Sequence, residues 1–163
     1  MVKVEFNEVY ETSKDFVWRL TSKYVFSGQD REDLFQEIFI NIHRALPRFR
    51  GESSINTWIY RIAANTSINY LKKQSRYRWL KNMLGTLITI EYEPQETEVD
   101  LKEFKPLKKL NPQQRIILLL SDVEEKKLDE ISEIMKIPIG TVKSNLHRAR
   151  EIIKKEMIEN GKE

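Results

Sequence analysis

KIPIGTVKSNLHRAREIIKK, residues 136–155, decides how this chain is read. It has the form of the second half of a helix-turn-helix. Upstream, LDEISEIM (128–135) sets Leu128, Ile131, Ile134 and Met135 at the spacing of an amphipathic helix. Pro138 and Gly140 then interrupt the pattern. Beyond them Val142, Leu146 and Ala149 recur about one turn apart, which leaves Lys143, Ser144, His147 and Arg148 on the opposite side. In this motif the second helix enters the major groove and its N-terminal residues reach base edges. A pair of ordinary solvated surface helices would show the same periodicity. The charge favours DNA: from Lys143 to Lys155 five Lys/Arg stand against one Glu.

Working outward, the rest of the chain reads as helical. Its 163 residues suit one ordinary domain or two small ones. Apolar residues make up 40% and charged residues 33%, a balance that fits a folded helical protein better than a disordered chain. Helices are expected over 6–26, over 31–46 with Leu34, Phe35, Ile38, Ile42 and Leu46 on one side, and over 55–76. Pro47 ends the second, and Ser53 or Ser54 is available to cap the third. The third has an inner stripe of Ile55, Ile59, Ile62, Ala63, Thr66 and Tyr70. A further helix is expected over 112–122, ahead of the helix-turn-helix. The architecture is therefore all-α: two small helical domains, 1–81 and 106–160, joined by an extended acidic linker, 82–105. That linker carries Glu91, Glu93, Glu96, Glu98, Asp100 and Glu103 beside a short β-prone run.

Composition removes several chemistries. Without cysteine there are no disulfides, thiol sensors or Cys-based zinc sites. His43 and His147 are far apart and give no metal-ligand spacing, so no metal or cofactor is expected. No apolar run approaches the roughly 20 residues of a membrane span and no signal peptide opens the chain, which points to the cytoplasm.

The charge is unevenly spread. Residues 44–81 hold nine Lys/Arg against one Glu, interleaved with Phe49, Trp58, Tyr60, Tyr70, Tyr77 and Trp79. Cations that follow a phosphate backbone, with aromatic faces on which bases stack, are what single-stranded nucleic acid requires. Some of these aromatics belong to the core, since Trp58 and Tyr60 cannot face the same way on one helix. Asn65 and Asn69 lie one turn apart and could offer amides to extruded bases, although exposed helical asparagines are common.

At this point the residues resemble a family. DREDLFQEIFINIHRAL, RFRGESSINTWIYRIAANTSINYLKK, LNPQQRIILLL and IPIGTVKSNLHRAREII look like the extracytoplasmic-function group of bacterial sigma factors, over 6–76 and 107–156. The resemblance implies a non-enzymatic subunit that binds core RNA polymerase, at the clamp helices of the largest subunit and the flap of the second largest, and directs it to promoter DNA. It also implies an anti-sigma partner.

Carried over by position, Asp33, Gln36, Glu37 and Phe39 match the clamp-docking helix. The promoter-melting surface spans Phe49 to Asn69, and the candidate minus-ten residues are Arg48, Arg50, Trp58, Tyr60, Arg61, Asn65, Asn69 and Lys72. Asn65 corresponds to a loop or helix-end position that pockets a flipped base, which would break the third helix near it. Thr141, Lys143, Ser144, His147 and Arg148 match the minus-thirty-five reading positions. Two departures stand out. The chain begins about one helix short of the usual amino terminus, and the usual Gly-Leu-Ser before the helix-turn-helix is Lys126, Lys127, Leu128. A stand-alone DNA-binding regulator and a metal-dependent nuclease built on the 91–103 carboxylates are the competing readings. The first does not explain the basic aromatic N-terminal lobe, and the second lacks a scaffold for its metal.

Overall fold

The computed structural model describes residues 4–25, 27–84 and 106–160. Every regular element among them is helical. Helix α1 runs Phe6–Tyr24, α2 Gly28–Ala45 and α3 Ile55–Leu84, and a short 3-10 turn covers Leu46–Arg48. In the second unit α4 is Pro112–Asp122, α5 Leu128–Met135 and α6 Ile139–Asn160. No described helix is long and apolar enough to cross a membrane. The 85–105 part of the acidic linker lies outside the described residues.

Local chemistry sets the boundaries. Ser27 caps α2, its side chain accepting from the Asp30 amide. Gly51 sits at φ +73 in the loop before α3, a backbone conformation that glycine takes without a Cβ penalty. Of the two candidate serines, Ser54 is the cap: its Oγ accepts from the Thr57 amide at 3.0 Å. Ser54→Ala should cost about 1 kcal/mol of stability, read as a lower midpoint in urea. No change in midpoint would show that this exposed hydrogen bond adds nothing.

Helix α3 continues through Asn65 to Leu84, against the expectation of a break. The reason is in the sequence: no Gly or Pro lies between Ile55 and Leu84, so nothing interrupts the backbone ladder. At the helix-turn-helix corner, Lys136 takes the left-handed conformation at φ 52, and Ser132 Oγ donates to the Ile137 carbonyl at 2.6 Å. Gly140, expected at the break, instead lies in the first turn of α6.

Two apolar centres hold the chain. Val17, Leu20, Leu34, Ile38, Ile42, Ile59 and Ala63 are buried among α1, α2 and α3. Ile116, Ile117, Leu120, Ile131, Ile134, Val142, Leu146 and Ala149 are buried among α4, α5 and α6. The two units do not stand apart, because α3 packs on both α4 and α5. Tyr24 and Arg115 fasten this seam. Tyr24 Oη donates to the Pro112 carbonyl at 2.9 Å, and buried Arg115 donates to the Tyr24 carbonyl at 2.9 Å.

Candidate nucleic-acid interface

The candidate residues of the first unit divide into three groups. Arg48 and Arg50 are exposed beside the loop before α3. Between them Phe49 is half-buried against Trp58, ring centroids 5.2 Å apart, so these two rings form one platform. Asn65, Asn69 and Lys72 are exposed further along α3 and line one wall of a cleft of about 390 Å³. Asn111, Pro112, Gln113 and Met135 form the opposite wall.

Tyr60 and Arg61 are engaged across the seam. The Tyr60 ring packs on Phe16 at 3.8 Å, and its hydroxyl donates to Glu124 Oε2 at 3.2 Å. Lys126 Nζ sits 4.6 Å from the same ring centroid. Burial, followed by the adjacent Glu124 charge, pushes the Tyr60 hydroxyl up to about 12. It therefore stays protonated and acts as the donor. Arg61 Nη2 donates to the Glu133 carbonyl at 3.0 Å, while its buried Nε has no partner.

Tyr70, grouped by sequence with possible stacking rings, has another task. Its hydroxyl donates to buried Asp30 at 2.8 Å and ties α3 to α2. Trp79 is 58% exposed near the end of α3.

On α6 the exposed row is Lys143, His147 and Arg148. Ser144 is half-buried, its Oγ donating to the Thr141 carbonyl at 3.1 Å, and buried Asn145 donates to the same oxygen at 2.9 Å. The Thr141 carbonyl thus takes two side-chain donors in the first turn of α6, and Thr141 itself is half-buried. Arg150, by contrast, donates to Asp122 at 2.6 Å, which raises its pKa and ties α6 to α4.

Of the residues matched to polymerase docking, Asp33, Gln36 and Glu37 are exposed on α2. Phe39 is not. It is 6% exposed, with its ring 4.7 Å from Tyr10, 5.0 Å from Phe35 and 6.5 Å from Phe6. The apolar side chain offered to solvent on this helix is its neighbour Ile40, at 48%. Sequence reasoning also missed Arg19 and Glu124. Arg19 Nη2 lies 3.3 Å from Glu124 Oε2 and its Nε 3.4 Å from Oε1. That hydrogen bond raises the Arg19 pKa. Among the described residues, no three His, Cys, Asp or Glu side chains are grouped to hold a metal ion.

Comparison with known proteins places the units. Residues 9–77 match the family model for sigma-70 region 2, and residues 107–153 that for sigma-70 region 4. The chain is 35% identical over 164 residues to the ECF RNA polymerase sigma-E factor of Haemophilus influenzae, covering 93% of this chain and 86% of that protein. Against the sigma-E factor of Escherichia coli it is 38% identical over 151 residues, covering 82% and 76%. Two solved structures share the fold. The sigma factor RpoE in complex with the anti-sigma factor NepR, from Bartonella quintana, aligns with a TM-score of 0.69 at 20% identity over 92% of this chain and 94% of that one. CnrH in complex with the cytosolic domain of CnrY aligns at 0.66 and 17% identity, over 93% and 86%.

Proposed function

The chain belongs to the extracytoplasmic-function sigma factors, and on that premise we propose that its two units read two promoter elements in two physical states of DNA. As a sigma factor it directs promoter-specific transcription by RNA polymerase, as a subunit without chemistry of its own. The finer assignment is that α6 reads the minus-thirty-five element as duplex, while α3 and the loop before it capture melted minus-ten bases.

One observation carries this reading: a single chain presents two separate polar rows on two helices of different kinds. Lys143, His147 and Arg148 project from the second helix of a helix-turn-helix, the element that enters a major groove. There a good bidentate contact contributes about 1–3 kcal/mol of base discrimination. Arg48, Arg50, the Phe49–Trp58 platform, Asn65, Asn69 and Lys72 instead combine cations, rings and amides along α3 and the loop before it. That set suits unpaired bases, whose unstacking costs a few kcal/mol each and must be offset by stacking and hydrogen bonds. Capturing bases only when they are the right ones couples recognition to melting, with no nucleotide hydrolysis.

Exposed Asp33, Gln36, Glu37 and Ile40 supply the polymerase-docking face on α2. The clamp helices and the flap of core polymerase are the proposed docking partners, and an anti-sigma factor is the proposed antagonist. The similar sigma factor RpoE of Bartonella quintana is held by the anti-sigma factor NepR, which makes that class of partner the natural one to seek.

The reading is tested by transcription from a randomised promoter library with core polymerase and this protein. Recovered start sites should share two sequence elements at fixed spacing. Lys143→Ala and His147→Ala should change base preference at particular upstream positions, whereas Arg148→Ala should weaken all sequences alike and lower the salt slope by about one charge. Transcripts without a shared upstream element would overturn the assignment of α6.

A further inference from the structure

Helix α3 outruns the face assigned to melted bases. Asn65, Asn69, Lys72, Arg76, Trp79 and Met83 stand at i, i+4, i+7, i+11, i+14 and i+18, which sets all six on one line of the helix. All six are exposed. The first three line the cleft opposite Asn111 to Gln113 and Met135, and the line then leaves the cleft. Past Lys72 it carries Arg76, then Trp79 at 58% exposure and Met83 at 66%, with Leu80 beside them at 42%. From Lys72 to Met83 the helix rises about 17 Å, the length of roughly five base pairs.

Charge along this distal arm narrows the choice of partner. Helix α3 has no Asp or Glu from Ile55 to Leu84, and residues 72–81 hold five Lys/Arg. A basic helix with an exposed tryptophan suits two anionic partners, nucleic acid and a lipid headgroup surface. A helix that lies on a membrane separates an apolar face from a cationic one. Here Lys72 and Arg76 share one line with Trp79 and Met83, so cation and ring are presented together, as nucleic acid requires.

We propose that the distal arm of α3 is a further DNA contact, which reads the duplex between the two promoter elements by its deformability. Lys73 and Arg76 hold phosphates, and Trp79 wedges against one base step. The proposal rests on the sigma-factor reading and on the minus-ten role of α3. The chain runs on from Leu84 to the unit assigned to the minus-thirty-five element, which sets the arm on the upstream side of the melted bases. Pyrimidine–purine steps such as TA and CA unstack at least cost, so a wedge favours them without touching base edges. Trp79 lies about 21 Å along the helix from Asn65, which corresponds to roughly six base pairs of duplex.

The test is transcription with core polymerase and the full chain on promoters whose two selected elements are fixed and whose spacer is randomised. Wild type should enrich TA or CA at one place, roughly six base pairs upstream of the base held by Asn65. Trp79→Ala should abolish that enrichment and lower transcription from the favoured spacers by about tenfold, with little change on the others. Trp79→Phe should keep the enrichment. Both variants should keep the wild-type urea midpoint, because the ring is exposed. Arg76→Gln should weaken all spacers alike and lower the salt slope by about one charge. A spacer without enrichment, in promoters that still depend on both fixed elements, would overturn the arm and leave the sigma-factor reading standing. Transcription indifferent to the fixed elements would overturn both. Binding of the free protein to phosphatidylserine vesicles that Trp79→Ala abolishes, beside an unchanged spacer preference, would assign the arm to a lipid surface and overturn the proposal.

Discussion

Phe39→Ala is expected to destabilise the first unit by about 3–5 kcal/mol, the range for emptying a buried aromatic site. The ring lies among Phe6, Tyr10 and Phe35, and its removal leaves a cavity between α1 and α2 that rigid helices cannot close. Since small domains have only about 5–15 kcal/mol in total, this loss would leave much of the unit unfolded near its working temperature. Urea denaturation followed by circular dichroism measures it directly. Ile40→Ala, one residue on, should leave the midpoint nearly unchanged and instead weaken capture of the chain by core polymerase. The reverse pattern, with Phe39→Ala stable but unable to bind polymerase, would return Phe39 to the docking face and contradict its packing.

Asn65→Ala should slow open-complex formation while leaving assembly with core polymerase intact. The amide is exposed on α3, where its loss costs the fold little, so its effect must come from a bound partner. A base-directed amide contact contributes about 1–3 kcal/mol, which corresponds to roughly a five- to 150-fold change in the population of melted promoter. Permanganate reactivity of unpaired thymines reports that population. Wild-type reactivity in Asn65→Ala would show that no base depends on this side chain. Because α3 is continuous through Asn65, the amide would work from a helix side, with Asn69 about one turn and Lys72 about two turns further along the same cleft.

Much of this was legible in the sequence, for identifiable physical reasons. The stripes Leu34–Ile38–Ile42 and Ile131–Ile134 announce buried helix faces because burial and the helical period act on the same residues. Helix α4 was readable to the residue, since Pro112 starts it behind the Asn111 cap. Phe39 was misassigned. It stands four residues after Phe35 and three before Ile42, a spacing that fits the buried side, but positional resemblance gave it to polymerase docking instead of that face. The corner of the helix-turn-helix was less readable, because the left-handed residue is Lys136 rather than a glycine. What the sequence could not carry was closure of the units. Arg19 and Glu124 are 105 positions apart, and one exposed arginine and one turn glutamate have no pattern that pairs them. An acidic linker between basic lobes suggested separated domains, whereas packing of α3 on α4 and α5 is decided by tertiary contacts with no local signature.

The central claim, that two faces of one chain read two promoter elements, is tested most directly by site-specific photocrosslinking in the complex with core polymerase and a selected promoter. A photoreactive side chain at position 69, beside Asn65, should label the melted strand at the minus-ten element only. The same group at position 147 should label duplex at the minus-thirty-five element only. Crosslinks from both positions to one element, or labelling by position 69 of DNA that remains double-stranded, would contradict the account.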